Sequence, residues 1–151
     1  MRSRMFFITY IAANLGLVAY GVLVLVDPAM LVESFTQLVY AFPPEATTAV
    51  VYLGALFRLL GFFNLILGAL GLLLLRQVAL GRQRWIVNLV IASSLLAYLG
   101  PIVFDNTVGH VGVFEIIELA LFIAMILSGI LMLAGREQAG VAQGRSKDMH
   151  G

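Results

Sequence analysis

The chain has no cysteine, which excludes disulfides, thiolate metal sites and thiol redox chemistry but leaves the redox compartment open. Charge is scarce as well: 11% of the 151 residues are Asp, Glu, Lys or Arg, and the formal net charge is +1. A chain so near neutrality has no global field with which to draw a nucleic acid. Glycine-rich nucleotide loops, zinc-ligand spacings and a nucleophile elbow are also missing from the sequence. What is scarcest is polar surface. Hydrophobic residues make up 62% of the chain and mean hydropathy is +1.03. A water-soluble globule of this size cannot hide that much apolar surface, because small domains leave much of their surface in solvent.

What the chain does have is four long apolar runs, Met5–Val26, Val50–Leu75, Trp85–Phe104 and Val113–Ala134. Each supplies roughly the 20 residues that a helix needs to cross a ~30 Å hydrocarbon layer. Barrel strands, the other way to satisfy every backbone group in lipid, alternate apolar and polar residues; these runs do not. The pattern predicts an all-α polytopic membrane protein. Residues 1–135 form a bundle of four transmembrane helices, and residues 136–151, polar and glycine-rich, form a flexible cytoplasmic tail. Arg2 and Arg4 give the first run the basic start of a secretory signal. Its apolar stretch is longer than a typical signal core, and no small-x-small cleavage pattern precedes Asp27-Pro28, so it reads as a retained helix.

The charges outside the runs sort by side. Arg2 and Arg4, then Arg76, Arg82 and Arg84, then Arg136, Arg145 and Lys147 fall in three segments that four crossings place together. The opposite side carries Asp27, Glu33, Glu45, Asp105 and His110 and no Lys or Arg. The positive-inside rule then puts both termini in the cytoplasm of a multi-pass cell-membrane protein.

Between the first two runs, Asp27-Pro28 reads as an N-cap followed by proline at the first helical position. Leu31, Phe35, Leu38, Val39 and Phe42 recur near helical spacing among Glu33, Ser34, Thr36 and Gln37. This predicts a short amphipathic helix at the outer interface, or a plain loop packed over the bundle. Pro43-Pro44 ends it. The second helix, from about Pro44 to Arg76, exceeds what a bilayer needs, and the short link around Gly81 makes the second and third helices antiparallel neighbours. Ala19-Tyr20 precede Asp27 by the spacing with which Ala97-Tyr98 precede Asp105, an echo that either duplication of a helical hairpin or chance would produce.

The second run carries the chemistry. Gly54, Gly61 and Gly68 are spaced by sevens, and Gly71, Asn64 and Arg58 fall on the same broad stripe. Small residues on one face let another helix approach closely, so the stripe is expected to face protein. Arg58 lies about eight residues inside the outer end of its run, or ~12 Å deep. A charge at the membrane centre costs ~2.5–3.5 kcal/mol on insertion scales, less toward the edge. Glu115 and Glu118, three apart near the outer end of the fourth run, share a helix face and supply a partner. The expectation is an intramembrane ion pair of Arg58 with Glu118, Glu115 or both. Such a pair either pins the helices in register or takes part in a ligand or proton site.

Asn14 and Asn64, read as lying at similar depth, and Asn88, Ser93 and Ser94 on the third helix add polar groups to the interior. They serve either as interhelical hydrogen bonds or as the floor of a polar pocket opening outward. His110 sits in the second outer loop; as a loop ligand it could offer one axial bond to a haem or chlorin. A bis-histidine haem is not supported, since the other histidine, His150, is in the tail. Tyr20, Tyr52, Tyr98 and Trp85 read as interfacial anchors. No catalytic residue and no metal site is assigned, and the cofactor is left unknown.

Three functional readings follow. The first is a non-enzymatic accessory or interaction subunit, partnered by the lipid bilayer and by another membrane protein or a second copy of itself, or a binder of a small hydrophobic ligand inside the bundle. The second is a small carrier or channel using the Arg58–glutamate cluster as gate or proton site. The third is a membrane enzyme acting on a lipid or quinone, with Glu115, Glu118 and His110 as its acid–base candidates.

Overall fold

The computed structural model describes residues 2–29, 47–81, 84–108 and 113–148. The described elements are four helices, here α1 (Arg2–Val26), α2 (Thr47–Ala79), α3 (Arg84–Val108) and α4 (Val113–Asp148). Each contains a stretch long and apolar enough to cross a membrane: Ser3–Val26, Val50–Ala79, Trp85–Val103 and Glu115–Gly135. Most of each stretch faces outward from the bundle, with Ile8, Val51, Leu96, Ile116 and Ile130 among its exposed side chains. The expected amphipathic segment between α1 and α2 lies outside the described residues, as do His110 and His150.

Local chemistry explains the ends that are described. After Val26 the chain leaves α1 at Asp27, whose Oδ1 accepts from Ala29 N at 3.2 Å, as a capping carboxylate does. α2 closes on Gly81, whose φ of +70° is the left-handed conformation that only glycine adopts without cost. The Leu80 and Gly81 amides donate back to the Arg76 and Val78 carbonyls at 3.1 Å each. The short turn brings α3 back against α2, as the link length predicted. At the far end, α4 does not stop at Gly135 but continues helical to Asp148, through most of the segment expected to be a flexible tail. Glycine lowers helix propensity by about 1 kcal/mol without forbidding a helix that is already nucleated.

The helices form a ring. α1 packs most extensively on α2 and also on α4; α3 packs on α2 and α4 and touches α1 across the short diagonal. α2 and α4 are the opposite corners, with no more than marginal contact. The core contains Phe6, Tyr10, Ala13 and Leu17 of α1, Leu75 and Val78 of α2, Ile86, Val87, Val90 and Tyr98 of α3, and Met125 of α4. α1 packs on two of the other helices, touches the third and supplies Phe6, Tyr10, Ala13 and Leu17, which makes it the hub.

The α1–α2 contact is closest because it is made by glycines. A Cβ on Gly21 would lie 2.6 Å from the Gly61 carbonyl oxygen and 2.7 Å from Leu65 N; one on Gly68 would lie 2.7 Å from the Asn14 carbonyl oxygen. Residue 21 thus opposes 61 and residue 14 opposes 68, which makes the two helices antiparallel and sets their register. Where no water drives helices together, backbone approach of this kind supplies the packing that holds them.

Candidate functional site

Two of the polar side chains that the bundle buries, Asn14 and Ser94, meet at α1. Asn14, 1% exposed, donates from Nδ2 to the Tyr10 carbonyl at 2.8 Å and to Ser94 Oγ of α3 at 3.2 Å. The rest of its amide lies directly against Gly71 of α2, so that a Cβ there would collide with the Asn14 side-chain oxygen. The glycine is thus the socket for the asparagine.

Two tyrosines use a related device. Tyr98 Oη of α3 donates to the Ala13 carbonyl at 2.8 Å, and Tyr10 Oη of α1 donates to the Met125 carbonyl of α4 at 3.1 Å. A helix carbonyl is normally screened by the side chain one turn on, because Cα–Cβ bonds lean toward the N-terminus. Here that position is glycine. Gly16 follows Ala13 and leaves the Tyr98 hydroxyl 3.3 Å from where a Cβ would sit; Gly129 follows Met125 and leaves Tyr10 Oη at 3.0 Å. Each hydroxyl thereby reaches a carbonyl that already serves its own helix. Ser128 Oγ donates to the same Met125 carbonyl at 3.2 Å, and Ser93 Oγ to the Val90 carbonyl at 3.3 Å, both within their own helices.

One buried polar group stands apart. Asn64 is 3% exposed, and its Nδ2 has no hydrogen-bond partner among the described residues. It is not level with Asn14, as the sequence suggested. Asn14 opposes Gly68 and Gly71, whereas Asn64 lies between them and the Gly21–Gly61 contact, one to two turns away.

The structure does not bring Arg58, Glu115 and Glu118 together. No salt bridge joins Arg58 to either glutamate. The reason is topological: Arg58 is on α2, the glutamates are on α4, and these are the helices that the ring holds farthest apart. Arg58 is exposed, while Glu115 and Glu118 are partly buried.

No known protein family, curated protein or solved structure matches this chain. Its own geometry therefore carries the functional argument.

The remaining candidates divide. Gly61, Gly68 and Gly71 are buried against α1, and Gly54, nearer the start of α2, is partly buried. Asn88 is exposed and lies outside the polar interior to which its residue type assigned it. Tyr20, Tyr52 and Trp85 are exposed, but Tyr98 is 4% exposed and belongs to the core, which corrects its reading as an interfacial anchor. The echoing positions Tyr20 and Tyr98 thus occupy unlike environments. Among the described residues no group of three His, Asp or Glu is placed to hold a metal. The reading of the sequence missed Tyr10, Gly16, Gly21 and Gly129. The usable signal was a small residue one turn beyond a carbonyl, on a helix with a tyrosine-bearing neighbour.

Proposed function

We propose that this chain is a multi-pass membrane protein with both termini in the cytoplasm. It works as an accessory or interaction subunit, its rigid bundle serving as a scaffold for a membrane-protein partner. The observation that supports this most is where the buried polar side chains go. Asn14, Ser128, Tyr10 and Tyr98 donate to the chain's own carbonyls and hydroxyls, and Ser94 Oγ accepts from the Asn14 amide. Groups so committed fix helix register; they are not free to hand a solute from one to the next. The orientation rests on the one-sided distribution of Lys and Arg.

The carrier reading draws on Arg58 together with the two glutamates, which stand on opposite corners of the ring; the enzyme reading draws on Glu115, Glu118 and His110, the last outside the described residues. A second reading has an observation of its own. A small hydrophobic ligand with one hydrogen-bond acceptor, held inside the bundle, would satisfy the buried Asn64 amide.

Gentle solubilisation, with cross-linking and quantitative mass spectrometry of what copurifies, tests both. The scaffold reading expects a membrane-protein partner in fixed stoichiometry that survives Glu118→Gln. A chain that purifies alone and supports a Glu118-dependent flux in proteoliposomes overturns it. The ligand reading expects a small molecule that is present in the natural chain and lost in Asn64→Leu.

A further inference from the structure

Arg58 and Arg76 are both exposed on α2 and lie eighteen residues apart, so five full turns of one helix put them on the same stripe. Five turns rise ~27 Å, close to the ~30 Å thickness of a bilayer's hydrocarbon core. Between them, residues 59–75 carry a single polar side chain, Asn64, and it is buried toward the bundle.

Register with α1 fixes the level of Arg58 independently. Gly21 opposes Gly61 and Leu65, and Val24 meets Gly61. Continuing the antiparallel pairing by one turn sets Arg58 level with the last residues of α1, where Asp27 ends the apolar run. Counting from Val50 alone puts Arg58 well below the surface; pairing with α1 puts it at the edge. The first turns of α2, from Thr47 to Phe57, then project past the end of α1.

We infer that Arg58 and Arg76 are a matched pair of phospholipid-phosphate ligands, one in each leaflet, and that they set the hydrocarbon-spanning part of α2 at residues 59–75. A guanidinium presents planar paired donors that suit phosphate oxygens, and its long stem can lie along apolar surface while the head reaches the interface. Charge and spacing together select the occupant: two cations one hydrocarbon thickness apart fit the two phosphate planes of a bilayer. The inference rests on the membrane-crossing part of the proposed function and is independent of the scaffold role.

Two measurements in phosphatidylcholine–phosphatidylglycerol vesicles test it. Nitroxide labels placed singly at exposed Leu56, Phe63 and Leu70 report depth through their exposure to oxygen and to a water-soluble nickel chelate. The expected result is that position 56 meets the chelate, while 63 and 70 meet oxygen only. If 63 and 70 also meet the chelate, the membrane-crossing reading fails; if 56 is as deep as 63, only the placement of Arg58 fails. Native mass spectrometry then reads retained phosphatidylglycerol. Arg58→Gln is expected to weaken its retention about fivefold, the effect of one cation near an anionic surface, with Arg58→Lys keeping most of it. Unchanged retention in Arg58→Gln, or a cross-link from position 58 to a protein carboxylate, overturns the lipid assignment.

Discussion

Replacing Gly21 by alanine inserts a methyl group where α1 and α2 are nearest. The new Cβ would stand 2.6 Å from the Gly61 oxygen and 2.7 Å from Leu65 N, both backbone atoms. A side chain could swing aside; a helix backbone has to move as a body. Relieving the contact to 3.0 Å requires the helices to part by about 0.4 Å, and that shift is passed to Gly68 and Gly71, which pack on the same α1 face. Overpacking of this kind costs ~1–3 kcal/mol, and the backbone identity of the obstacles places Gly21 in the upper half of that range. Alanine recovers ~0.5–1 kcal/mol through its better helix propensity. The net expectation is a loss of about 1–2 kcal/mol. Gly61→Ala meets its neighbours at 3.0 Å and should lose less. Gly100→Ala meets nothing within 4 Å beyond its chain neighbours; the Pro101 ring that follows it in α3 disfavours a Cβ there and offsets the propensity gain, so its stability should stay close to that of the natural chain. Reversible unfolding in mixed micelles with rising dodecyl sulfate, followed by the fluorescence of the single tryptophan Trp85, ranks the three. If Gly21→Ala proves as stable as Gly100→Ala, the helices do not touch through glycine backbone and the register argued from that contact is wrong.

The other expectations use the same unfolding assay. A double-mutant cycle on Arg58→Ala and Glu118→Ala should give coupling within the ~0.3–0.5 kcal/mol seen for independent sites; coupling above 1 kcal/mol would restore the ion pair. A cycle on Asn14→Ala and Ser94→Ala should give ~0.6 kcal/mol, the average for interhelical hydrogen bonds in a membrane bundle, and zero coupling would remove that bond. Asn64→Leu should leave stability unchanged or raise it, because a buried donor without a partner costs ~1–3 kcal/mol; a clear loss would mean that the amide is satisfied.

That the described chain is helical, with four helices long and apolar enough to cross a membrane, was legible in the sequence because it depends on a bulk property. Four apolar runs leave few architectures, and the turn at Gly81 is written in one residue. The same reasoning placed Gly61, Gly68 and Gly71 on a packing face, since a small-residue stripe has no other obvious use. What sequence spacing could not supply was which helix lies diagonally opposite which. Arg58 and Glu118 are the one strong cation and the nearest carboxylates in apolar surroundings, and charge balance alone pairs them. The ring order separates them, and no pattern along a single chain encodes ring order. Tyr98 was misread for a related reason. A tyrosine near a helix end is an anchor or a core donor according to whether a neighbour exposes a carbonyl to it, and that depends on Gly16 of a helix more than eighty residues earlier.

The hydrogen bonds themselves bear on whether the bundle can move. If the two hairpins, α1–α2 and α3–α4, rocked against each other as the halves of a carrier do, the boundary between them would have to open. Three described hydrogen bonds cross that boundary: Asn14 to Ser94, Tyr98 to Ala13 and Tyr10 to Met125. At an average of ~0.6 kcal/mol each they sum to about 2 kcal/mol, or roughly thirtyfold against the opened state. A ligand could offset that only by binding the opened form about thirtyfold more tightly. The groups that would offer such differential contact, Arg58 on one hairpin and Glu115 with Glu118 on the other, are held at opposite corners. All three bonds end on α1 or leave from it, which makes the first helix the latch between hairpins. A molecule latched in this way fits the proposed role of holding a partner in one geometry better than that of alternating between two.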